Sequence, residues 1–117
     1  MKTLLVLASA LLIGTAGPSP LAAQDADGKA QYTELCKKCH GVLGSPPQTM
    51  KKKYSKIASF DAQFLEKHSE DSIVKVLTKG KSEDMESFKD KLSPAEMKAV
   101  AKYVRELAAR PKPGGDE

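Results

Sequence analysis

Hydrophobic positions in this chain recur at three- and four-residue intervals, and no segment sustains the two-residue alternation of a half-buried strand. The pattern therefore predicts an all-α protein. Its clearest element lies near the C-terminus, where Met97, Val100, Ala101, Val104, Leu107 and Ala108 form one apolar stripe. The stripe is entered through Ser93-Pro94-Ala95-Glu96, which has the spacing of a capping box with proline at the first helical position. Leu92 and Met97 stand at the positions of a hydrophobic staple. Pro111 stops this helix, and residues 111–117 read as a polar, disordered tail rich in Pro and Gly.

Weaker signals fill the rest. Asp25 or Asp27 can cap a first helix running to about Cys36, with Ala30, Tyr32 and Leu35 among its apolar or semi-apolar positions. A Gly/Pro-rich loop over 41–47 follows, then a basic stretch over 48–57 with room for one or two helical turns. Phe60, Phe64 and Leu65 suggest a short helix. Ser69 reads as an N-cap, with Glu70 and Asp71 in the first turn, Ile73, Val74, Val76 and Leu77 as the apolar set, and Gly80 just past the end. No internal repeat or interdomain linker interrupts the series.

The N-terminus belongs to a different class of segment. Lys2, an apolar run over 4–13 and small residues with Pro18 and Pro20 up to Ala23 have the n-, h- and c-regions of a secretory signal peptide. The apolar run is too short for a bilayer span, which needs about 20 residues. Residues 1–23 are expected to be removed on export, residues 24–110 to form one domain and 111–117 to be its tail. Stable membrane insertion of the mature chain is not expected. A domain of this size has room for only a small core, and such chains commonly need a staple.

Both cysteines of the chain lie in one pentad, Cys36-Lys37-Lys38-Cys39-His40. C-x-x-C-H is the arrangement that attaches a c-type haem. Near a helical turn the two sulfurs fall on one side of the backbone, where each can add to a vinyl group, and His40 is tethered beneath the iron as its proximal ligand. A thioredoxin-like dithiol would place C-x-x-C at a helix start after a strand. Zinc would need Cys36, Cys39, His40 and His68 together, and a disulfide across two residues closes almost no loop. Haem attachment is the expectation, and a porphyrin in the core explains how a chain with no Trp and few aromatics fills its interior.

A proximal histidine leaves the sixth iron position to be assigned. The candidates are Met50, Met85, Met97 and His68. Met97 belongs to the apolar stripe, and Met50 stands before Lys51, Lys52 and Lys53 in what reads as a solvated turn. Met85 sits in a polar segment between Gly80 and Leu92 with no apolar stripe of its own, and a long loop can reach across the far face of a haem. Met85 is preferred, with His68 as the alternative.

From about residue 25 to 109 the chain resembles a class I c-type cytochrome of the small bacterial monohaem, c6-like kind. The resemblance rests on Gly28, Tyr32 and the pentad in the first helix, on Met85, Phe88, Leu92 and Ser93, and on Tyr103 and Leu107 in the last helix. It implies a cytochrome c fold of about four or five short helices around one covalently attached haem c. It implies that the first and last helices cross at Gly28, with Tyr32 on one and Val100 and Tyr103 on the other. It also implies Met85 as the axial ligand, and a carbonyl from Pro46 or Pro47 as the acceptor for the second ring nitrogen of His40. Glu86 follows Met85 where many members have proline, and Ser55 follows Tyr54 where some do. Negative charge from Glu86 near the iron would favour its ferric state.

The activity this implies is one-electron transfer by a His/Met-ligated haem c between redox partners outside the cytoplasm, in the periplasm or another exported location, with no enzymatic turnover. Two other classes are a haem c subunit docked in a larger oxidoreductase and a small-ligand sensor with a displaceable sixth ligand. Without residues 1–23 the chain has 18 basic and 15 acidic side chains. Lys37, Lys38, Lys51, Lys52, Lys53 and Lys56 lie in or soon after the pentad, where they could steer an acidic redox partner. A monomer is expected, and nucleic-acid binding is not.

Overall fold

A computed structural model describes Gly14 and residues 26–113. Among these residues the backbone forms six helices and no named strand: α1 (Gly28–Leu35), α2 (Lys37–His40), α3 (Gln48–Lys53), α4 (Ala62–Lys67), α5 (Glu70–Lys79) and α6 (Pro94–Ala109). This is the all-α architecture the periodicity predicts. The first helical run is split into α1 and α2 because Cys36 departs from helical geometry, at φ −119°. The expected signal segment apart from Gly14, the alternative cap Asp25, and residues 114–117 of the expected tail lie outside the described residues.

Local chemistry sets where the helices begin. The Asp27 carboxylate accepts from the Ala30 N–H at 3.0 Å, Asp61 from the Phe64 N–H at 2.9 Å, and the Ser69 hydroxyl from the Ser72 N–H at 3.2 Å. Each satisfies an amide that has no partner within its helix. At α6 the capping box is complete. The Ser93 hydroxyl accepts from the Glu96 N–H at 3.2 Å, and the Glu96 carboxylate accepts from the Ser93 N–H at 2.6 Å.

Helix α6 is the hub, against which α1, α4 and α5 all pack. The six residues of its apolar stripe are its six buried residues, and Leu92 is buried with them. At the α1–α6 crossing, a Cβ on Gly28 would stand 2.1 Å from the Ala99 carbonyl oxygen. Only glycine lets the two backbones come this close. Tyr32, one turn on, is 1% exposed and meets Tyr103 of α6 edge-on, with ring centroids 5.3 Å apart. The crossing therefore has the partners expected of it.

Two cationic side chains fasten loops to this hub. Arg105 of α6 donates to the Leu65 carbonyl at 3.1 Å and also to the His68 carbonyl, which fixes the end of α4. Lys112, just beyond α6, donates to the Leu107 carbonyl at 2.6 Å and to the Leu43 carbonyl in the 41–47 loop. Burial and the nearby Arg110 charge lower the Lys112 ammonium pKa below its usual value. Among the described residues no helix is long and apolar enough to cross a membrane.

Candidate functional site

The short α2 carries the end of the pentad, and what surrounds it orients each side chain. The Tyr32 hydroxyl, inside the core, donates to the Gly41 carbonyl at 2.7 Å and so anchors the residue that follows His40. His40 is 8% exposed, and its Nδ1 lies 3.1 Å from the Ala58 carbonyl oxygen. A carbonyl can only accept, so Nδ1 carries the hydrogen and Nε2 keeps its lone pair. The ring stacks on Phe60 with centroids 4.7 Å apart. Phe60 is in turn pinned by its own N–H, which donates to the Gly44 carbonyl at 2.7 Å.

The acceptor for His40 is thus Ala58, not Pro46 or Pro47 as expected. The two prolines stand at the end of the 41–47 loop, where Pro46 is buried and Pro47 caps α3. The chain then runs through α3 and returns at residues 57–60, and it is this returning strand of loop that meets the imidazole. Burial lowers the His40 pKa, and the Ala58 hydrogen bond offsets part of that effect. A neutral imidazole with one nitrogen committed as a donor has the electronic form of a metal ligand.

Cys36 and Cys39 form no disulfide with one another, and the first is buried and the second half-buried. Burial, followed by the neighbouring Cys39, pushes the Cys36 thiol up to about 11. A redox dithiol needs a depressed pKa, so this environment disfavours the thioredoxin-like reading. Among the described residues no group of three or more His, Cys, Asp or Glu side chains is placed to hold a metal ion, which disfavours the zinc reading.

Met85 is held in the segment between α5 and α6 by a tight turn. The Lys81 N–H donates to the Met85 carbonyl at 2.8 Å, and the Met85 N–H donates to the Ser82 carbonyl at 3.1 Å. The turn is tied back to α5, because the Ser87 hydroxyl donates to the Thr78 carbonyl at 2.6 Å and the Phe88 N–H to the Leu77 carbonyl at 2.8 Å. Gly80, at φ 75°, makes the reversal that starts it, and a Cβ there would lie 2.7 Å from the Ser87 nitrogen. These bonds order the loop with Glu86, and not proline, after the methionine.

Between the pentad and this turn runs a cleft of about 720 Å³, bordered by Cys36, Cys39, His40, Met85 and both flanking loops. It adjoins an inner cavity of about 70 Å³ whose walls include Cys36, His40, Met85, Ile73, Leu77 and Val104. The larger volume is within the range of roughly 300–1,000 Å³ typical of ligand sites. Cys36, His40 and Met85 border both spaces. The donor set suits a haem: two sulfurs at the rim, a nitrogen lone pair, a thioether, and an apolar wall behind them.

The other candidates sit elsewhere. Met97 is buried in the core, with its sulfur accepting from the Thr78 hydroxyl at 3.4 Å. Met50 lies in α3, half-buried, and borders neither space. His68 borders the inner cavity only, with its ring 4.4 Å from that of Phe64. Of the six lysines near the pentad, Lys53 and Lys56 border the cleft. The Tyr54 side chain, over whose ring the Lys53 ammonium lies at 5.1 Å, raises the Lys53 pKa above its usual value, with smaller contributions from Cys39 and from Asp84 on the opposite rim. Val42 and Leu43, in the loop beside the pentad, are exposed apolar side chains.

The chain matches, over residues 23–104, the family described as cytochrome c oxidase, cbb3-type, subunit III. Among solved structures it is similar to the KustC0563 c-type cytochrome, at 36% identity and a TM-score of 0.63, covering 70% of this chain and 98% of that one. A mutant of the same cytochrome aligns at 35% identity and a TM-score of 0.61, covering 69% and 98%. No curated protein matches the chain.

Proposed function

The chain belongs to the c-type cytochromes, which carry covalently bound haem c and transfer electrons, and from that premise we propose that it is an exported one-electron carrier with His40 and Met85 as its axial ligands. In this reading residues 1–23 direct export and are removed, residues 24–110 form the redox domain, and 111–117 are its tail. Cys36 and Cys39 hold the haem through thioethers. The observation that carries the reading is the shared border of Cys36, His40 and Met85 on the two adjoining spaces.

When bound, the haem supplies reversible one-electron chemistry at its iron. The chain's own residues then set how that electron moves. His40, oriented by Ala58, offers Nε2 as the donor. Met85 offers a soft sulfur, which favours the ferrous state relative to a second imidazole. With Met85 as well as His40 to hold the iron, the chain would keep gases and peroxide off it. The exposed α3 lysines steer an acidic redox partner toward the cleft.

A second reading, a haem subunit docked in a larger oxidoreductase, draws on the description of the matched family and on the exposed Val42 and Leu43. A purified protein that is monomeric and exchanges electrons with several small redox proteins favours the carrier. One that is reduced only within a fixed complex favours the subunit.

The ligand assignment is tested by the optical spectrum of the oxidised protein beside that of Met85→Leu. The weak sulfur-to-iron charge-transfer band is expected to vanish in the variant and to persist in Met50→Leu and Met97→Leu. Its survival in Met85→Leu would overturn the assignment.

A further inference from the structure

The rim of the cleft carries opposite charge on its two sides. Lys53 and Lys56 stand on one lip, backed by the exposed Lys51 and Lys52 of α3. Glu83, Asp84 and Glu86 stand on the other, in the turn that holds Met85, and all three are exposed. Lys81 and Lys91 also reach this rim, the Lys91 ammonium 5.7 Å over the Phe88 ring. Three carboxylates against two ammonium groups leave that lip with a small acidic excess. A uniformly acidic partner would gain at α3 and be repelled at the Met85 turn.

A two-lipped surface of this kind is complementary to itself. If a two-fold axis runs along the length of the cleft, the basic lip of each copy faces the acidic lip of the other, as an isologous contact requires. We propose that the cleft mouth docks a second copy of this chain in a transient two-fold encounter, so that electrons pass between copies through apposed cleft rims. The inference rests on the haem lying in the cleft, as assigned above. Each exchange is balanced, because one copy is oxidised as the other is reduced and the products are the reactants with their states interchanged.

The charge pattern sets the sign of the salt effect. Two copies of a basic chain repel at a distance, so a collision without specific docking speeds up as salt screens that repulsion. Docking through opposed lips slows down as salt is added. The measurement is the electron self-exchange rate in mixtures of ferric and ferrous protein, read from NMR line broadening as a function of ionic strength. The wild-type rate is expected to fall with salt. Lys53→Glu with Lys56→Glu reverses the charge of both lysines that border the cleft on the basic lip and should slow exchange at low salt by roughly tenfold or more, the lower end of electrostatic steering. Adding Glu83→Lys and Asp84→Lys interchanges the charges at the two facing edges of the cleft and should restore the rate to near wild type.

A coloured protein with an intact thioether-haem spectrum whose rate rises with salt, or whose interchanged variant stays slow, would overturn the pairing and leave the haem assignment standing. A colourless product would overturn the assignment and the pairing together.

Discussion

The Tyr32 hydroxyl donates to the Gly41 carbonyl at 2.7 Å, joining the first helix to the residue that follows His40. Tyr32 is 1% exposed, and burial, with smaller contributions from Cys36 and Tyr103, raises its phenol well above the usual range. The hydroxyl therefore stays protonated and available as a donor. A residue placed for helix crossing also anchors the chain next to His40.

Replacing Tyr32 with Phe keeps the ring against Tyr103 and removes only the donor. The buried Gly41 carbonyl would lose its partner, at a cost of about 1–3 kcal/mol. Guanidinium unfolding of the haem-loaded protein measures it. An unchanged midpoint would show that the bond contributes nothing to stability.

Gly28→Ala is expected to destabilise the fold by about 2 kcal/mol even though alanine is the better helix former by about 1 kcal/mol. The added Cβ would meet the Ala99 carbonyl, which is backbone and cannot swing aside, so α1 must move off α6. Thermal unfolding should show a lower midpoint with the haem spectrum largely kept.

Glu86→Gln removes a carboxylate from the rim beside Met85 and leaves the side chain nearly the same size. A surface charge near the iron is worth about 1 kcal/mol, or roughly 40 mV for one electron. Potentiometry should show the midpoint potential rising by tens of millivolts at low salt and by less at high salt. A fall in potential would contradict the placement.

Ser93→Ala opens the capping box of α6 and should cost about 0.5–2 kcal/mol. Glu96→Ala should cost more, because Glu96 also accepts from the Gln31 side chain at 3.3 Å and so links α6 to α1. Combining the two changes should cost less than their sum, since both act on one reciprocal pair.

Much of the framework was legible one segment at a time. The stripe of α6 and its capping box depend on residues three and four apart, and such signals survive in a linear reading because helices are local. The pentad was legible for the same reason, since both cysteines and His40 fall within five positions. The short α2 was not. Its separation from α1 depends on the backbone angle at Cys36, which no residue type at that position announces.

His40 and Ala58 are eighteen positions apart, and nothing about an alanine marks its carbonyl as an acceptor. Proline drew attention because it punctuates a sequence, but the 41–47 loop carries Pro46 and Pro47 toward α3. Phe60 read as part of a helix and instead precedes the Asp61 cap, stacked on the imidazole. Arg105 and Lys112 gave no signal at all, because an arginine or lysine side chain is ordinarily solvated. Their partners are main-chain carbonyls of distant loops.

The sequence by itself determined the helical class, the starts of the main helices, the α6 face and the C-x-x-C-H pentad. These follow from side-chain identity and short-range spacing. The tertiary structure alone decided which carbonyl orients His40, which methionine borders the cleft, and how basic α3 comes to face the acidic turn across it. Those relationships join segments far apart in the chain, and they are fixed by how closely α1, α4 and α5 can pack on α6.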